Sequence, residues 1–286
     1  MNMNYKKISG FSDEIDAKVD VQFEVLNKLG IKYFEPRGID GKNISALNDD
    51  EAKALKTKMD KCGIKVSSIG SPIGKVKITD DLEEHFNLFR RVVAIAKILD
   101  TKYIRMFSFF HEGGEWTEDE REIVFENLKR MIEYAKENDV ILLHENEKDI
   151  YGDIAPRCKD LMDNLYCDNF KAVFDPANFV QSGQDTKEAF EMLKNYIEYM
   201  HIKDALFKDG SVVPSGYGDG NVEYILTELF KNGFNGFLSL EPHLGSFAGL
   251  ENLEMGDLMK DLPESGEGTF TVAHNALLKI LEGIEG

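Results

Sequence analysis

The sequence predicts an α/β protein built as a single closed (β/α)8 barrel. Three observations predict it. Strand-like and helix-like segments alternate strictly along the chain. Eight such units fit within 286 residues. Four successive apolar runs in the second half end in Glu, Asp, His and Glu. Alternation argues for a parallel sheet covered by helices, and eight units at about this length close into a barrel. A doubly wound open sheet is the structural rival, but it usually carries a Gly-rich first turn. The first turn here is Ser12-Asp13-Glu14. No linker-like composition divides the chain, so residues 1–286 read as one domain.

The elements follow in order. A short first strand over 7–13 ends in polar residues. Val19, Val21, Phe23, Val25, Leu26 and Leu29 then recur at helical spacing over 16–29, closed by Gly30. The second strand, 31–34, has Glu35 and Arg37 at its mouth. Asn48 or Asp49 caps a helix running to Lys61, which Gly63 ends. The third strand is 64–70, followed by a helix over about 80–99. The fourth is 103–108, with Phe109, Phe110 and His111 beyond it. Thr117-Glu-Asp-Glu120 is a capping-box pattern opening a helix to about Asn138. The fifth strand, 140–144, precedes a helix ending near Leu165. The sixth, 171–174, precedes a helix over 185–196. The seventh, 199–202, is followed by a loop with Gly216, Gly218 and Gly220 and a helix over 221–232. The eighth is 237–240, and a last helix covers 271–281. The irregular piece 243–268 reads as a lid or interface segment.

Composition narrows the function classes. The net charge of −18 opposes phosphodiester backbones, and no basic patch offsets it, so nucleic acid is not an expected partner. No apolar run approaches the roughly 18–20 residues of a membrane span. The N-terminal residues lack a signal-peptide core. The expectation is a cytoplasmic protein without membrane contact. Cys62, Cys158 and Cys167 show no paired zinc spacing and read as reduced, small core residues.

The candidate chemistry lies at four strand ends: His144-Glu145-Asn-Glu147, Phe174-Asp175-Pro-Ala-Asn178, His201-Ile-Lys203-Asp204 and Leu240-Glu241-Pro-His243. In a barrel these ends form one mouth, and catalytic groups come from several strands. One Glu at a strand end is usually a solvated group, and one His is usually a packing residue. Glu145, Asp175, His201 and Glu241 on consecutive strands make a mostly oxygen site for one divalent ion. Mn²⁺ suits it best, with Mg²⁺, Co²⁺ or Zn²⁺ as alternatives. His144, one residue from Glu145, points to the opposite face of its strand and reads as a core histidine. His243 lies on the same side as Glu241 and could contact substrate. His111 could reach the mouth. Arg37, Arg105 and Lys75 could neutralise an anionic substrate or balance the carboxylates. The glycines before the helix over 221–232 could cradle a phosphate, though a tight loop is the plainer reading.

With the Gly216-Tyr-Gly218-Asp-Gly220 loop, these motifs resemble, in order, the sugar phosphate isomerase/epimerase group of the xylose-isomerase-like barrels. That group includes ketose 3-epimerases, hydroxypyruvate isomerase, inosose dehydratase and apurinic endonucleases. The resemblance implies that Glu145, Asp175, His201 and Glu241 bind the metal. It also implies that Glu145 and Glu241 act as an acid/base pair on opposite faces of the substrate. It departs from the epimerase pattern at Asn178, where a substrate-binding His is frequent, and at Phe207, where Arg stands. Lys203, Asp204, Asn178 and Glu147 are then candidates for replacement substrate contacts.

The implied function is a metal-dependent sugar isomerase or epimerase working through an enediolate on a small carbohydrate. A lyase using the same site, dehydrating an inosose or cleaving a 3-keto-glycoside, is the alternative. A non-catalytic sugar-binding barrel is a second alternative. By analogy with the family, a homo-oligomer is expected.

Overall fold

The computed structural model describes residues 7–244 and 266–285. Most of the segment 243–268, expected as a lid or interface, lies outside the described residues. Among the described residues no helix is long and apolar enough to cross a membrane.

The barrel strands are β1 (Ile8–Gly10), β2 (Tyr33–Phe34), β3 (Lys65–Val66, resuming at Ile69–Gly70), β4 (Tyr103–Met106), β5 (Ile141–Glu145), β6 (Phe170–Phe174), β7 (Ile197–Ile202) and β8 (Phe237–Leu240). Seven form one sheet in the order β1-β8-β7-β6-β5-β4-β3. Every pairing within it is parallel. Strand β2 closes the ring: it pairs with the first part of β3, and Glu35 N–H donates to Gly10 O at 2.9 Å. The expected (β/α)8 barrel is therefore present.

The covering helices are α1 (Val19–Lys28), α2 (Asp49–Cys62), α3 (Leu82–Ile98), α4 (Glu118–Glu137), α5 (Ala155–Leu165), α6 (Pro176–Gln181), α7 (Thr186–Leu193), α8 (Val222–Lys231) and α9 (Gly266–Glu285). Asn48 with Glu51, and Thr117 with Glu120, form reciprocal capping boxes. Gly63 closes α2 at φ 66°, a left-handed conformation that favours glycine.

Two of the features not expected from sequence carry familiar local signals. Asp175 caps the short α6, with Pro176 at its first position. Asp-Pro is itself a helix-start signal, but the aspartate was read only as a strand-end ligand. A hairpin joins Gly38–Ile39 to Lys42–Asn43 through Asp40 and Gly41, both at positive φ. Asp-Gly between paired strands is the signal of such a two-residue turn.

Among the described residues the buried apolar side chains form a main core and two small clusters. The main core lies between strands and helices. A smaller cluster of Leu143, Val173 and Tyr199, with Tyr103, Ile141 and Phe237 against it, fills the lumen. Tyr103 of β4 meets Tyr199 of β7 and Phe237 of β8 at ring separations of 6.5 and 6.4 Å. Those strands are not neighbours of β4, so the rings meet across the barrel interior.

Candidate metal centre and active site

Strand alternation puts residues two apart on one face. Glu145 is two beyond Leu143, Asp175 two beyond Val173, and His201 two beyond Tyr199, so all three inherit the lumen face. Glu241 is two beyond Ser239, whose hydroxyl also points inward. The four polar groups therefore meet where the lumen opens at the C-terminal strand ends.

One ligand atom from each of the four lies within 4.8 Å of every other. His201 Nδ1 is 3.0 Å from Glu145 Oε1, 3.5 Å from Glu241 Oε2 and 3.8 Å from Asp175 Oδ2. All four residues are buried. Glu145 Oε2, Asp175 Oδ2 and His201 Nδ1 have no well-aligned hydrogen-bond partner. Buried polar atoms left in this state are costly, and here they converge. The donor set of three carboxylates and one imidazole fits a divalent ion of the hard or borderline class.

The electrostatics agree. Burial pushes Glu145 up, but His201 and Arg105 outweigh it and bring the carboxyl down to about 2. Burial, joined by repulsion from Glu241 and Glu145, raises Asp175 to about 7 even with Lys203 beside it. Burial also opposes the charge on Glu241, yet Lys203 and His201 hold it well below the usual range. For His201, burial works against the proton, but Glu145 and Glu35 hold it well above the ordinary histidine value. Asp175 is the carboxylate of the three that burial and its neighbours push toward its neutral form, and a divalent ion beside it would favour its charge.

Several predicted contact residues reach this cluster. Lys203 Nζ sits 2.9 Å from Asp175 Oδ2 and 3.0 Å from Glu241 Oε2. Asn178 Nδ2 donates to Glu145 Oε1 at 3.2 Å and to Asn146 O at 2.9 Å. Buried Arg105 places Nη1 3.4 Å from Glu145 Oε2, with Phe11 and Phe107 against its guanidinium. At the rim, His243 Nε2 is 3.7 Å from Glu241 Oε1. Arg37 Nη1 is 3.5 Å from the same oxygen.

Others do not join it. Asp204, expected to contact substrate, is turned into its own loop. Its carboxylate accepts from the N–H groups of Ala205, Gly216, Gly218 and Gly220 at 2.8–3.0 Å. The same bonds correct the phosphate reading of the glycine loop, because those amides already have an anion. Glu147 pairs with Lys75 at 2.8 Å, and its charge also acts on Lys203. His111 stacks on Trp116 at 3.9 Å. His144 shares a hydrogen bond with Ser108 Oγ at 2.9 Å and packs beside Phe170.

Sequence reasoning gave no role to Asn146 or Glu35. Asn146 clamps the ends of β5 and β6, donating to Asp175 O and accepting from Asp175 N–H, both at 2.9 Å. Glu35 is wholly buried behind His201, with Nε2 at 3.3 Å. Its signal was present in Tyr33-Phe-Glu35, another apolar run ending in a carboxylate.

The family described as Xylose isomerase-like TIM barrel matches residues 23–261. A curated relative, 3-dehydroshikimate dehydratase of Bacillus anthracis, is 20% identical over 129 residues. That match takes in 45% of this chain and 46% of the relative, so the chain spans about half the relative's length. The solved IOLI protein with a bound zinc atom has a TM-score of 0.76 at 17% identity, covering 97% of this chain and 98% of that one. An L-ribulose 3-epimerase structure has a TM-score of 0.72 at 18% identity, covering 97% and 95%. At these identities the structural likeness speaks for the fold. The family match runs from α1 to beyond β8, across every strand that carries the cluster, and the chain belongs to the xylose isomerase-like TIM barrel family.

Proposed function

We propose that this chain is a divalent-metal-dependent enzyme that removes a proton beside the carbonyl of a small carbohydrate. It works as an isomerase or epimerase through an enediolate. The carrying observation is the placement of Glu145 and Glu241. They come from β5 and β8, which are separated by two strands, yet both approach His201 Nδ1 within 3.5 Å. Two carboxylates brought from different sides to one point can act as base and acid on one carbon.

Glu145, Asp175, His201 and Glu241 would hold the ion, with Mn²⁺ the proposed one. When bound, a divalent ion supplies Lewis acidity toward a substrate carbonyl. One of the two glutamates takes the carbon-bound proton at a carboxylate oxygen, and the other returns a proton to the opposite face. Lys203, Asn178 and Arg105 orient substrate oxygens and hold Glu145 and Glu241 in place. His243 and Arg37 guard the rim. The buried walls of Phe11 and Phe107 exclude water from the proton-transfer path.

Incubation in D₂O with free ketoses, keto-inositols and 3-keto-glycosides tests this reading. Deuterium should enter the carbon beside the carbonyl, and this exchange should fall by about 10²–10⁴-fold in Glu241→Gln. Metal bound with no exchange across the panel would favour a sugar-binding role instead.

Elimination is the second reading, supported by the match to a dehydratase. His243, at the rim between Glu14 and Glu241 with Nε2 at 3.4 and 3.7 Å, is the histidine placed to assist a leaving group. A product that has lost water or an aglycone would identify this chemistry.

A further inference from the structure

Glu35 belongs to the half of the barrel that carries none of the four ligand-type residues, and it meets them from behind. Its backbone N–H is tied to Gly10 O, which fixes the end of β2 against β1. Its Oε2 accepts from Tyr199 Oη at 2.8 Å and from Ser239 Oγ at 2.7 Å. The same oxygen lies 3.3 Å from His201 Nε2. Tyr199 Oη in turn shares a hydrogen bond with Ser67 Oγ, which shares one with Ser9 Oγ. The carboxylate is thus pinned from β7 and β8, and its backbone from β1, without exposure to solvent.

We propose that Glu35 is the positioning residue of this centre: it holds the Nε2–H of His201 so that Nδ1 faces the divalent ion. The inference rests on the metal-dependent reading above. An ionised carboxylate only accepts hydrogen bonds. Three carboxylates converge on Nδ1 at 3.0–3.8 Å and one lies behind Nε2 at 3.3 Å, so with a divalent ion among the three the ring's remaining proton belongs on Nε2. That leaves Nδ1 as the nitrogen facing Glu145, Asp175 and Glu241. Phe11 and Tyr199 pack edge-on against the imidazole at 5.2 and 5.8 Å and keep it from turning. The Nε2 approach is oblique, and neither ring nitrogen has a well-aligned partner. Contacts of this kind tighten when the site is filled. A carboxylate behind a ligating histidine fixes its tautomer and raises its basicity. Glu35 Oε1 also faces Arg105 Nε at 3.9 Å, and Arg105 contacts Glu145, so one buried carboxylate reaches two of the ligands.

The test compares wild type, Glu35→Gln, Glu35→Leu and His201→Gln by calorimetric titration with Mn²⁺ and Zn²⁺, with folding followed by circular dichroism. Glu35→Leu should weaken metal binding by about 10–100-fold. Glu35→Gln should lose less, since its carbonyl oxygen still accepts from Nε2. A folded Glu35→Leu protein with wild-type affinity would overturn the assignment while leaving the metal centre intact. Wild type that binds neither ion, or binds no better than His201→Gln, would overturn the metal reading and this inference with it. Should the Glu35 variants not fold, ¹⁵N NMR of Zn²⁺-loaded wild type decides. His201, identified by its absence in His201→Gln, should show a protonated Nε2; an unprotonated Nε2 overturns the proposal. A purely structural role for Glu35 would lower thermal stability without changing metal affinity in folded variants.

Discussion

His144 and His201 sit on barrel strands and are almost equally buried, at 1% and 0% exposure. Their surroundings give them opposite properties. His144 lies between strand and helices, with Ser108 Oγ as its polar partner, and burial pushes it down to about 4. His201 lies in the lumen among Glu145, Glu35, Asp175 and Glu241, and there the carboxylates overcome burial and hold the ring well above its ordinary value. Burial disfavours the charged ring in both places. Whether charge is nevertheless kept depends on which side of the sheet the residue faces. The outer face is an apolar packing layer, and the inner face at the strand ends is a concentrated polar site.

The comparison breaks first if the lumen is not the seat of chemistry. Glu145→Gln and Glu241→Gln should each reduce the exchange rate by about 10²–10⁴-fold, the range for lost acid–base catalysis, with circular dichroism unchanged. Full activity in both would remove the acid/base pair. Dialysis against a chelator should likewise abolish exchange, and Mn²⁺, Co²⁺, Mg²⁺ or Zn²⁺ should restore it. A rate independent of metal content would break the link between cluster and function.

Exchanging the two histidines sharpens the contrast. His201→Gln should weaken metal binding at least about 10-fold, whereas His144→Gln should leave it unchanged and alter stability against pH. The ordinary value of 6.5 falls to about 4 in the folded protein. As pH drops below about 6.5, the unfolded chain takes up the proton first, so His144 lowers folding stability progressively down to about pH 4. Urea unfolding at pH 7.5 and pH 5 should show a smaller loss in the His144→Gln variant.

A smaller effect separates loop support from ligation. Asp204→Asn puts an NH2 group against amides that now donate to a carboxylate, at a cost of about 1–3 kcal/mol. Thermal unfolding should register it, and metal titration should not. Thr117→Ala, on the outer surface, should cost about 1 kcal/mol through its lost cap and leave the exchange rate alone.

Much of this arrangement was legible from residue order. The capping boxes at Asn48 and Thr117 need only a short local pattern. The placement of His144 and Glu145 on opposite faces follows from strand alternation. The candidate ligand set could be nominated because each member ends an apolar run. Asp204 was misread because its spacing beside Lys203 resembles that of a site residue. Nothing local shows that the loop folds back to present amides from residues 216, 218 and 220. Glu35 went unassigned for the opposite reason: its partners are remote, Tyr199 lying 164 positions and Ser239 204 positions further along the chain.

The sequence by itself determined the alternating barrel plan, the principal helix boundaries and the four residue types offered by the last four strands. Those properties follow from periodicity, capping and the acid–base nature of side chains close together in the chain. Tertiary structure decided which polar groups share the lumen, that Lys203 lies between Asp175 and Glu241, and that Glu35 stands behind His201. Closure of β1 against β8, with β2 completing the ring, brings these distant groups within hydrogen-bonding and ion-pairing range.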